Sequence, residues 1–140
     1  MLGKSHRLMA AAGAVFLGAS PLCVAAAALG ATLPDRIEVV GLPHRGISHW
    51  PWPWAVAVWS IQTQQTPWST LVAWWLAGAL FHIGADLFTI GGIPLILPNW
   101  RIRFGLLRTG GVGEYVVVAL TVIAALMQVF HLQIVRAGGS

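Results

Sequence analysis

Apolar residues run along this chain in five blocks, at about 8–18, 22–33, 54–61, 68–88 and 115–135, with short polar, glycine-rich or proline-rich segments between them. Blocks of this length and continuity predict helices buried in an apolar surround, and no strict alternation argues for strands within them. Only the fourth and fifth reach the roughly 20 residues that a straight membrane-spanning helix needs. The first two blocks could join into one long helix, but Gly18-Ala19-Ser20-Pro21 is a turn sequence that places a proline to start a new helix. Two helices of about 12 residues, each about 18 Å long, would then form a tight hairpin.

The hairpin has a geometric consequence. It returns Asp35 to the end where His6 began, whereas one straight helix would hold them roughly 40 Å apart. The third helix leaves from His49 and turns at Gln62-Thr63-Gln64-Gln65-Thr66-Pro67, and the fourth returns to deliver His82 and Asp86. Residues 89–113 form a long loop whose pattern predicts a short β-hairpin about Pro98-Asn99, with arms at 93–97 and 101–107. Glu114 then opens the fifth helix. The expected fold is a single all-α domain over residues 1–140, a small polytopic membrane bundle of about five helices. Its first two helices make a short hairpin, and a β-hairpin-like loop precedes the last.

Charge orients this arrangement. Lys4, Arg7, Arg36, Arg45, Arg101, Arg103 and Arg108 fall at one end and Arg136 at the other, so the positive-inside rule turns the first end toward the cytoplasm. A four-helix alternative with a straight first span divides the positive charges almost evenly and predicts no orientation. The chain is 57% hydrophobic and 9% charged, which makes its net charge of +4 a topological signal rather than a nucleic-acid footprint, and no direct nucleic-acid binding is expected. Trp50, Trp52, Trp54 and Trp100 near one end and Trp68 near the other fit an interfacial belt. Lys4, Arg7 and the apolar run ending at 27–31 also fit a cleavable secretory signal, whose removal would take His6 with it.

All four acids and four of the five histidines lie in the clusters that interrupt the apolar blocks. Ionised groups cost roughly 2.5 to 3.5 kcal/mol each at the centre of a membrane helix and persist there beside a partner or an ion. His82 and Asp86 are four apart on one helix face, where they either share a cation or make a structural hydrogen bond. His44 and His49 flank Arg45-Gly46-Ile47-Ser48 and read as ligands or as solvated loop histidines, with Ser48 suited to cap the helix that follows. Asp35 is a ligand or a turn residue, and either it or Glu38 could act as general base. Glu114 is a further ligand candidate that the dipole of its own helix would explain as well. Arg45 suits an anionic substrate. His131 lies at the far end. Because Cys23 is alone, any metal must be held by imidazole and carboxylate, so the metal set is His6, Asp35, His44, His49, His82, Asp86 and Glu114, with zinc the expected divalent cation.

Leu33-Pro34-Asp35, the run His44-Arg45-Gly46-Ile47-Ser48-His49, and His82-Ile83-Gly84-Ala85-Asp86 continuing through Thr89, Gly92 and Pro94 resemble the LexA-binding, inner-membrane-associated metal-dependent hydrolases of the YdjM type. The likeness covers most of the chain in order, from the early histidine to Thr109-Gly110 and Glu114. It implies kinship with the all-helical zinc phospholipase C and nuclease group, and so a phosphoester or phospholipid-headgroup substrate. Where that family often has a second aspartate and a histidine after the first aspartate, this chain has Ile37 and Glu38. It also has Trp50 in place of a small hydroxyl residue.

The expectation is therefore a multi-pass protein of the bacterial inner membrane whose cytoplasm-facing zinc site hydrolyses a phosphoester or related ester. Its rival is a non-enzymatic adaptor whose clusters dock a cytoplasmic protein. A transporter is disfavoured, since no proton relay or repeat is visible.

Overall fold

The computed structural model describes residues 3–38, 46–98 and 100–138. Helices α1 (Gly3–Phe16) and α2 (Pro21–Gly30) form the hairpin expected from the turn sequence between them. The turn is built residue by residue. Gly18 adopts a positive φ of 78°, Pro21 occupies the first turn of α2, and Ser20 caps it by accepting from the Cys23 amide at 3.4 Å. A six-residue helix that the sequence pattern did not predict, α3 (Leu33–Glu38), follows and carries Asp35 and Glu38.

A single 3₁₀ turn (Ile47–His49) leads into α4 (Pro51–Gln62), and α5 (Pro67–Leu87) begins with a capping box in which Thr66 and Ser69 satisfy each other's backbone amides. The predicted hairpin arms shrink to two-residue strands, β1 (Ile93–Pro94) and β2 (Arg101–Ile102), paired antiparallel with Ile93 opposite Ile102. Proline at 94 and glycine at 105 leave little chain able to continue a ladder. α6 (Val112–Gly138) closes the fold.

Packing follows the logic of helices in lipid. The buried apolar residues are mostly small, among them Ala10, Ala14, Ala27, Ala31, Ala73 and Ala79, while Leu22, Trp59, Trp68, Leu120 and Phe130 face outward. Small residues let backbones approach closely where no hydrophobic effect drives association. The α2–α5 crossing is the extreme case: a Cβ at Gly30 would stand 1.7 Å from the Trp75 carbonyl oxygen, and one at Gly78 would stand 2.1 Å from that of Ala27.

By length and composition two helices can cross a membrane, α5 over Pro67–Leu87 and α6 over Val112–Val135. α1, α2 and α4, with 14, 10 and 12 residues, are too short to cross alone.

Candidate metal centre

The close α2–α5 crossing fixes the first ligand candidate. It brings the Ala31 carbonyl, at the end of α2, to 2.7 Å from His82 Nδ1, and a carbonyl can only accept, so Nδ1 carries the proton and Nε2 of neutral His82 presents a lone pair. His49 is set in the same way by a different group. Its Nδ1 lies 2.9 Å from Glu38 Oε1, which also accepts from Ser48 Oγ at 2.8 Å, so the proton of neutral His49 sits on Nδ1 and its Nε2 is also a bare lone pair. Trp54 pins this turn by donating its indole N–H to the Ser48 carbonyl at 2.9 Å.

The two lone pairs meet. His49 Nε2 and His82 Nε2 are 3.1 Å apart, and both are buried. Asp35 Oδ1 stands 3.5 Å from each of them, and Asp86 Oδ2 stands 3.6 Å from His49 Nε2 and 3.7 Å from His82 Nε2. A tetrahedral ion bound at about 2.0 to 2.1 Å separates its ligands by about 3.3 Å. Five of the six edges among these four atoms, at 3.1 to 3.7 Å, bracket that value.

His6 extends the cluster from α1. Its ring stacks on His82 with centroids 3.6 Å apart, its Nε2 lies 3.4 Å from Asp86 Oδ1, and its buried Nδ1 has no hydrogen-bond partner among the described residues. Asp86 thus turns one oxygen toward His6 and the other toward His49 and His82. Two overlapping ligand groups result, His6-His82-Asp86 and Asp35-His49-His82. The imidazoles of His49, then His82, beside it hold the Asp35 carboxyl below its ordinary range against the opposing effect of its partial burial. Imidazole nitrogens and carboxylate oxygens at these separations fit a small divalent cation.

Other expected site residues are placed differently. Glu38 stands outside both ligand groups and holds His49 instead, and Glu114 also stands outside them, buried, with Oε2 accepting from the Gly110 amide at the start of α6. The predicted ligand His44 and the predicted substrate-binding Arg45 lie outside the described residues. Sequence reasoning missed the Ala31 carbonyl, a backbone group that leaves no side-chain signature.

The model of the family described as YdjM inner membrane protein matches residues 1–137. The chain belongs to that family. The match runs through every helix that supplies a group to the cluster and through both helices long enough to cross a membrane. No curated protein and no solved structure matches the chain.

Proposed function

We propose that the chain is a divalent-cation-dependent hydrolase acting on a phosphoester or related ester, multi-pass in the inner membrane, with its site at the cytoplasmic face. What carries this reading is the pair of imidazole lone pairs, each fixed by a separate acceptor, aimed at one point between two carboxylates. Two imidazoles and two carboxylates suit zinc among the common divalent ions. Held there, zinc would supply Lewis acidity and bring the pKa of a coordinated water toward neutrality.

The residues divide the work by position. His49, His82 and Asp86 are buried and hold the ion, and His6 adds a fourth protein donor or a second position beside Asp86. Asp35, with half its side chain exposed, is the open side of the cluster, where a water can enter and give up a proton to it. Glu38 keeps His49 in its ligating tautomer and orientation. His44 and Arg45 retain the roles expected from sequence, a further ligand and a partner for an anionic substrate. Because α1 and α2 supply His6 and the Ala31 carbonyl, this reading keeps residues 1–31 in the working protein. Cytoplasmic orientation rests on the cationic residues of the α1 start, α3 and the loop before α6.

The test is hydrolysis of a chromogenic phosphodiester by the detergent-purified chain. Turnover should stop with a chelator and return with added zinc, and His82→Ala should remove it. A zinc-loaded wild-type protein that turns over no ester would contradict the hydrolase and favour a docking surface for a cytoplasmic protein.

A further inference from the structure

On the face of α5 turned away from the metal centre, α5 and α6 flank a trough floored by α1. Three hollows of about 480, 460 and 410 Å³ share walls there: Phe81 borders the first and second, Met9 and Phe88 the first and third, Thr121 the second and third. α6 packs on α1, and among the described residues no side chain fills the trough between it and α5. Its lining is almost wholly apolar.

Three features identify an occupant. Along α5 the trough runs from Ala77 to Phe88, about 16 Å at the helical rise, and half of a hydrocarbon core of about 30 Å is one leaflet. It ends at the loop side, where Leu106 and Leu107 line it and Phe104 packs against Phe88 with ring centroids 5.4 Å apart. The same loop segment carries Arg103 and Arg108, both exposed. An apolar slot of one-leaflet depth with cations at its mouth is complementary to an acyl chain beneath an anionic headgroup. We propose that the α1–α5–α6 trough is a binding site for an anionic phospholipid, one acyl chain lying along Phe81 and Met9 and the phosphate meeting Arg103 and Arg108. The inference rests on α5 and α6 spanning the membrane, and not on the hydrolase reading.

Gly84 offers a clean test because it lines the trough and a Cβ there would meet nothing within 4 Å, so Gly84→Leu sends its side chain into the slot from an unobstructed start. The full chain in detergent is titrated with phosphatidylglycerol or phosphatidylcholine, and retained lipid is read by native mass spectrometry alongside metal content. Wild type should hold one phosphatidylglycerol at least tenfold more tightly than phosphatidylcholine. Gly84→Leu should weaken it at least fivefold with metal content unchanged, and Arg103→Gln with Arg108→Gln should erase the headgroup preference. Should Gly84→Leu misfold, Ala124→Leu on the α6 wall should give the same loss. Equal retention of the two lipids by wild type, no effect of the filling variants, or a dimer crosslinked through Gly84→Cys would overturn the proposal. A wild type that prefers phosphatidylglycerol but carries no metal would count against the metal centre and leave this proposal standing.

Discussion

Glu38 and His49 show how much of the site depends on groups that would never touch substrate. With Nδ1 of His49 at 2.9 Å, the Glu38 carboxylate selects the tautomer whose Nε2 lone pair faces the cluster. Partners of this kind are worth about 10- to 100-fold in metal affinity. Glu38→Ala should therefore weaken zinc binding by that factor without abolishing it, and Glu38→Gln should retain part of it, since an amide oxygen can still accept from Nδ1. His82→Ala and Asp86→Ala should lose the ion outright. Competition against a zinc-sensitive dye separates the two classes, and a Glu38→Ala loss as complete as that of His82→Ala would make Glu38 a ligand. Acidification should release the ion, because every donor must be deprotonated to bind. His82 and Asp86 were legible in the sequence from their spacing. Glu38 was legible as an acid but not in its role, because its partner lies across the segment 39–45 and no local periodicity links them.

At the scale of elements, the break at Gly18 to Pro21 decides the architecture, since it folds α1 and α2 into a hairpin and so brings α1, α3 and α5 to one end. That much followed from turn chemistry. The short helix α3 did not, because Leu33-Pro34-Asp35-Arg36 reads equally as a turn, although a proline with acids in the first turn is also how a helix starts. The closeness of α2 and α5 was also hidden, for Gly30 and Gly78 are unremarkable glycines until the helices cross on them. Gly78→Ala should push its helix against the Ala27 carbonyl at a cost of about 1 to 3 kcal/mol, and should draw Ala31 away from His82. Gly84→Ala, on the open face of the same helix, should be neutral or stabilising by up to about 1 kcal/mol. Denaturant unfolding in detergent compares the two, and equal stabilities would contradict the close crossing.

Among the described residues most buried apolar side chains are alanine, with His6, His49, His82, Asp86 and Glu114 beside them, while many leucines and tryptophans face outward. The proposed multi-pass arrangement would cover these outward apolar side chains with lipid. Single-cysteine accessibility should place Gly3 and Thr109 at the cytoplasmic face and Gln64 at the opposite one, all three being exposed, and labelling of all three from one side would contradict the orientation. In the proposed centre His49 and His82 share one cation with Asp35 and Asp86. Metal analysis of the chain purified without chelator tests it most directly. Stoichiometric zinc is expected in the wild type and its loss in His82→Ala, whereas a folded wild-type protein that neither carries a divalent ion nor takes one up would rule the centre out.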